Sequence, residues 1–253
     1  MKQWYATRVS SGIRATALLL SSLFCVVPTA YGETYIAGQI GFAVPGLGGG
    51  LSDGDVNSPP FSSLFGPNTT ITHGDYELST SLMYGGKVGH YFNFAPWFGV
   101  EAEVFYTTPH IDQQDHAFTI QNSSVPGVTV HGTLQGAYFR VITVAPFNLM
   151  FRYHKTRLQP YVGVGPGIFF AGIKGEGLAP DSPESTSDNA RLGLNAKAGL
   201  EYHVTKHLTT FAEWKFNYVH FDFDENQNFF PFFFGLDATY TMHLVSFGVG
   251  YRF

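Results

Sequence analysis

Charged side chains in this chain recur inside glycine-rich and aromatic-rich stretches rather than in runs of their own. Lys87, Glu101, Glu103, Arg140, Lys197, Glu201, Glu213 and Lys215 each occupy an alternate position of an extended segment, on the face that glycines share. Groups of both signs at enclosed positions pair, because an isolated buried charge is strongly unfavourable. The chemistry expected of these eight is ion pairing. Two forms of it stay open: a rigid structural network, or pairs that exchange partners to let small solutes past.

Catalysis has less to draw on. His243 and Ser246 stand three apart on one extended segment, so they point to opposite faces and form no dyad. His73, His110, His116 and His131 lie in or near connecting segments without metal-ligand spacing. No catalytic residue is assigned, no cofactor is expected, and the chain is not expected to be an enzyme. Asp222, Asp224 and Glu225 are weak candidates for a divalent cation, since clustered carboxylates suit hard ions. Carboxylates that simply keep a loop solvated are the plainer reading. Phe229, Phe230, Phe232, Phe233 and Phe234 form a run that water would not favour, readable as an interfacial cap or as contacts for a hydrophobic ligand.

The elements that must position these groups are strands. Residues 242–253 set the pattern: Val245, Phe247, Val249, Tyr251 and Phe253 fall on one face, and Ser246, Gly248, Gly250 and Arg252 on the other. The same alternation predicts strands over residues 34–44, 81–92, 97–107, 136–149, 158–172, 191–203 and 208–221. Long connections are expected over 45–80, 108–128, 173–189 and 222–237, with short turns between the remaining neighbours. Eight strands with alternating long and short connections predict an all-β, antiparallel, up-and-down transmembrane barrel with four long external loops. Closure is required, because bare strand edges have no hydrogen-bond partner in lipid. A soluble barrel of the lipocalin kind would carry its charges outside; here they share the glycine face.

Composition agrees. The chain is 44% hydrophobic and 17% aromatic but only 13% charged, against about 25% charged in an average globular protein. No apolar run of about 20 residues, the length of a spanning helix, occurs beyond the amino-terminal segment. That segment, residues 1–32, reads as a secretory signal: Lys2, Arg8 and Arg14, then an apolar stretch, then Ala30-Tyr31-Gly32 as the small-x-small cleavage pattern. Residues 33–253 are expected to form the barrel. The one cysteine, Cys25, would leave with the signal, and the formal net charge would move from −5 to −8. An acidic chain is a poor partner for nucleic acid, which is not expected to bind.

Three motifs carry a family resemblance: Gly85-Gly86-Lys87-Val88-Gly89-His90-Tyr91-Phe92 running into Trp97-Phe98-Gly99-Val100-Glu101-Ala102-Glu103; Pro160-Tyr161-Val162-Gly163-Val164-Gly165-Pro166-Gly167; and Ala196-Lys197-Ala198-Gly199-Leu200-Glu201-Tyr202. They resemble the OmpA-like and OmpW-like small outer-membrane β-barrel superfamily across essentially the whole mature chain. The resemblance implies a place in the outer membrane of a Gram-negative cell, in contact with its lipid and lipopolysaccharide. It also implies Tyr251 and Phe253 as the assembly signal read by the barrel-assembly machinery. Members include tethers, adhesins, small pores and lipid-modifying enzymes, so fold does not settle role. The expected function is structural or surface-interacting, with a possible external ligand or host surface as partner. A small porin-like channel for small or hydrophobic solutes is the alternative, ahead of a lipid-modifying enzyme.

Overall fold

Among the described residues thirteen strands run in chain order: β1 (Gly32–Ala43), β2 (Gly50–Asp53), β3 (Val56–Asn57), β4 (Thr70–His73), β5 (Ser81–Phe92), β6 (Ala95–Thr107), β7 (Gln114–Asn122), β8 (Val125–Leu134), β9 (Tyr138–Arg152), β10 (Leu158–Gly175), β11 (Ser185–His203), β12 (Leu208–Phe223) and β13 (Leu236–Arg252). The computed structural model describes residues 32–45, 50–53, 56–57, 70–73, 78–111, 114–122, 125–134, 138–175, 185–223 and 236–253. The chain divides into two compact units, Met1–Gly32 and Glu33–Phe253. All of the expected signal segment except Gly32 lies outside the described residues.

Eight of the strands close a barrel in the order β1-β5-β6-β9-β10-β11-β12-β13, with β13 returning to β1. The closing ladder is antiparallel and runs from Tyr35↔Arg252 to Ala43↔Leu244. Alternation produces the two faces. Ile36, Ile40, Phe42, Val162, Leu194, Leu200, Phe247 and Val249 are exposed on the outside, whereas Lys87, Glu101, Asn195, Lys197 and Lys215 are buried within. Rings gather at the short-turn end of the outer face, where Phe92 stacks on Phe94 at 5.2 Å and Trp97 on Phe151 at 6.0 Å between centroids. Tyr251 meets Phe253 edge-on at 5.2 Å in the same belt, the position of an interfacial girdle.

The last four barrel strands are 18, 19, 16 and 17 residues long. A bilayer needs only about 9–11 residues of tilted strand. These ladders therefore project past the apolar belt on the long-loop side, where β10 and β11 pair as far as Gly175↔Ser185 and β12 and β13 as far as Phe223↔Leu236. Two connections expected to be loops contain strands of their own. β2 extends the edge of β13, and β3, β4, β7 and β8 make a second, four-stranded sheet in which Thr70–His73 pairs with Phe118–Gln121. Strands outside lipid need no apolar face toward a membrane, so alternation does not announce them.

One irregularity changes which side chains face inward. β9 carries Pro146, which has no N–H to give to a ladder. The β6–β9 register shifts there, from Glu101↔Asn148 to Glu103↔Ala145, and the β9–β10 ladder is interrupted between Val164 and Ile168. Pro146 and Phe147 both face out. Below this bulge the even-numbered residues Asn148, Met150 and Arg152 are buried; above it the odd-numbered Ala145, Thr143, Val141 and Phe139 are.

Candidate functional site

The lumen holds a closed ring of alternating charge. Lys87 on β5 lies 2.8 Å from Glu213 on β12 and 3.8 Å from Glu101 on β6. Lys197 on β11 sits 2.5 Å from Glu101 and 2.5 Å from Glu103. Lys215 on β12 bridges back from Glu103 to Glu213, the latter at 2.5 Å. Lysines and glutamates thus alternate around the axis, and their side chains are at most 3% exposed. Each charge touches two of opposite sign, the condition under which buried ions escape the cost of isolation.

Neutral groups complete the coordination. The Tyr35 hydroxyl donates to Glu101 at 2.5 Å and the Tyr161 hydroxyl to Glu213 at 2.7 Å. Asn195 donates to Glu103 at 2.7 Å and to Asn148 at 3.1 Å. Lys87 also lies over the Phe211 ring, 3.9 Å from its centroid, a cation–π contact. Two glycines explain how the tyrosines reach: a Cβ at Gly89 would enter the Tyr35 ring, and one at Gly199 the Tyr161 ring. The void between Tyr35, Tyr91, Tyr161, Phe211 and the ring measures about 10 Å³, no more than one water needs.

A second cluster closes the short-turn mouth. Arg152 grips the Glu33 carboxylate with two nitrogens, at 2.7 and 3.1 Å, and donates to the Pro96 carbonyl at 2.9 Å. Its guanidinium lies 3.7 Å from the centre of the Tyr91 ring. Arg252 pairs with Glu33 as well and reaches Glu201 at 2.6 Å. Through Glu33 and Arg252 this cluster ties the two ends of the closing seam to β9 and β11.

On the long-loop side of the ring the interior is apolar. Met83, Phe105, Phe139, Val141, Phe169, Val219, Phe221, Tyr240, Met242 and Leu244 form one cluster, each at most 1% exposed. Phe139 meets Tyr240 at 5.8 Å and Phe221 at 6.4 Å between centroids, edge to face. The polar lumen expected from the charges is thus one of two zones. The other is dry.

Of the eight expected charges, Lys87, Glu101, Glu103, Lys197, Glu213 and Lys215 make the ring, and Glu201 belongs to the mouth cluster. Arg140 is a correction: it is exposed on the outer face beside Ile142. The bulge at Pro146 reverses the parity that alternation carries up from Asn148. Sequence reading missed Arg152, Glu33 and Arg252 as partners; Arg252 stood on the glycine face of its strand, the signal that could have found it. Asp222 is exposed and meets Arg191 at 3.2 Å. Asp224, Glu225 and the run Phe229 to Phe234 lie outside the described residues. Among the described residues no group of three or more metal-ligating side chains is assembled. His243 stacks on Trp214 with centroids 5.6 Å apart, while Ser246 is buried in the interior.

Residues 16–253 match the model of the outer membrane protein beta-barrel domain. No curated protein sequence matches. Among solved structures, the outer membrane protein OprG from Pseudomonas aeruginosa is similar at 18% identity and TM-score 0.47, over 88% of this chain and 97% of that one. Neisserial surface protein A is similar at 14% identity and TM-score 0.42, over 87% and 95%. The outer membrane protein W of E. coli is similar at 12% identity and TM-score 0.32, over 89% and 100%.

Proposed function

Because this chain belongs to the outer membrane protein beta-barrel domain family, we propose that it is an integral outer-membrane barrel with a structural or surface-interaction role, working through its external segments rather than through its lumen. The observation that carries this reading is the closed ring of Lys87, Glu101, Lys197, Glu103, Lys215 and Glu213, beside which the void lined by Tyr35, Tyr91, Tyr161 and Phe211 measures about 10 Å³. An eight-stranded interior is wide enough only for the side chains that fill it. Residues 1–32 act as the export signal, Tyr251 and Phe253 engage the assembly machinery, and an external ligand or host surface meets the loops. The reading assigns no reaction and no cofactor to the barrel.

The test is planar-bilayer conductance of the refolded chain, with heat-modifiable gel mobility as the check on closure. A folded, silent barrel is expected. Discrete and reproducible openings would overturn the reading in favour of a small channel. The apolar upper zone supports that second reading for hydrophobic solutes. Under it, a fluorescent fatty acid would bind saturably, and replacing Phe232 and Phe233 with Ser would weaken the binding without unfolding the barrel.

A further inference from the structure

The charges outside the barrel are sorted by the kind of connection that carries them. Nearly all the acids beyond the lumen and its mouth fall in the long connections, including Asp53, Asp75, Asp112, Asp181, Glu184 and Asp224. Two of the three short turns carry the reverse sign. The β9–β10 turn presents Lys155 and Arg157, the β11–β12 turn presents Lys206, all exposed, and neither turn contains an acid. Among the described residues no carboxylate pairs with any of the three. The acidic side chains on this side, Glu33 and Glu201, are taken by Arg152 and Arg252.

These turns are adjacent and preorganised. Leu158 pairs with Tyr202 where the two hairpins meet, and the His203 N–H donates to the Arg157 carbonyl at 2.9 Å. Thr156 donates its hydroxyl to the Leu158 carbonyl at 2.5 Å, and Gln159 donates to the Thr156 carbonyl at 3.1 Å. In the other turn the Thr205 hydroxyl accepts from the Leu208 N–H at 2.9 Å. Exposed apolar and aromatic side chains flank the cations, Tyr153 and Val204 within the turns and Leu158, Tyr202 and Leu208 at the strand ends. Such residues seat at the boundary of the hydrocarbon, so the lysines and arginine stand at headgroup depth with their stems along the barrel wall. The third short turn, Asn93-Phe94, is uncharged, which confines the basic strip to one side of the rim.

We infer that the paired turns of β9–β10 and β11–β12 form a docking strip for the phosphodiester headgroups of anionic phospholipid in the leaflet at the short-turn end. Charge complementarity selects the lipid class, and the apolar row fixes the depth at which the contact is made. Outer-membrane barrels turn their short connections to the periplasm, so the leaflet concerned is the inner one. The inference does not depend on whether the lumen conducts.

The test uses the full barrel refolded into phosphatidylethanolamine vesicles containing spin-labelled lipid. The measured quantity is the fraction of label immobilised at the protein surface. The expected result is that labelled phosphatidylglycerol is held over labelled phosphatidylethanolamine by about fivefold or more, since each cation near an anionic headgroup contributes on that order. The preference should fall toward parity in the triple variant Lys155→Gln, Arg157→Gln, Lys206→Gln, and with rising salt in the wild-type protein. Heat-modifiable mobility confirms that each barrel is folded, and the salt titration stands by itself if the triple variant is not. Equal retention of both lipids by the wild type would overturn the inference, as would a preference that survives the triple substitution. Co-sedimentation of the wild-type barrel with peptidoglycan without any lipid preference would assign the strip to a wall polymer and overturn it as well.

Discussion

The two halves of the lumen fill the same cylinder by opposite means. Toward the short turns the interior is built from lysine, glutamate, tyrosine and asparagine; toward the long loops it is built from phenylalanine, methionine, leucine and valine. The apolar zone is a summed quantity, in which removing one side chain costs its own contacts and the cavity left behind. The charged ring is a satisfied network, in which removing one member strands its neighbours. A closed alternating ring also has no spare charge with which to coordinate a passing ion. The comparison teaches that burial alone does not say how a barrel interior will fail.

The sharpest test of that contrast is Lys197→Met. It keeps most of the volume but leaves Glu101 and Glu103 each with one cation fewer, and about 3–5 kcal/mol of stability should be lost. Urea unfolding followed by tryptophan fluorescence in detergent or lipid would read it; a loss below about 1 kcal/mol would mean that water or a proton compensates the ring. Phe169→Ala in the apolar zone should cost about 3 kcal/mol, with the residual cavity able to take up a small apolar probe such as xenon. If the alanine variant proved the more damaging and the methionine variant benign, the distinction between network and packing would collapse. Arg252→Gln, at the mouth where Glu33 is one-third exposed, should cost about 1–2 kcal/mol. That loss should appear as faster amide hydrogen exchange in the β1–β13 ladder and not in the β11–β12 ladder. Arg140→Gln, outside both zones, should change stability by no more than about 0.5 kcal/mol. An effect as large as that of Lys197→Met would return Arg140 to the interior.

Much of this architecture is legible in the residue pattern. Ile36, Ile40 and Phe42 against Tyr35, Ala37 and Gln39 state the two faces of β1 outright, and the structure keeps them. Lys197 and Lys215 can likewise be read as inward from their own strands. The apolar zone was hidden for a different reason: above the membrane belt both faces of a strand can be apolar or polar, so Phe139, Phe169 and Phe221 look no different from lipid-facing rings. The small sheet of β3, β4, β7 and β8 was hidden because it falls within connections whose Gly, Pro, Ser and Asp content reads as loop, although Phe118-Thr119-Ile120 and Val128-Thr129-Val130 alternate. Arg140 was misread because a single proline changes the count of every residue beyond it.

The sequence by itself determined the closed eight-stranded barrel and the inward placement of most of its charges, because a period of two residues leaves each side chain one of two faces and lipid tolerates no open edge. Only the tertiary structure decided which charge meets which. Lys87 and Glu213 are 126 positions apart, on strands that are not neighbours, and they touch because the stagger of the strands brings them to one level. Partner choice across a barrel depends on that stagger, which no single strand encodes.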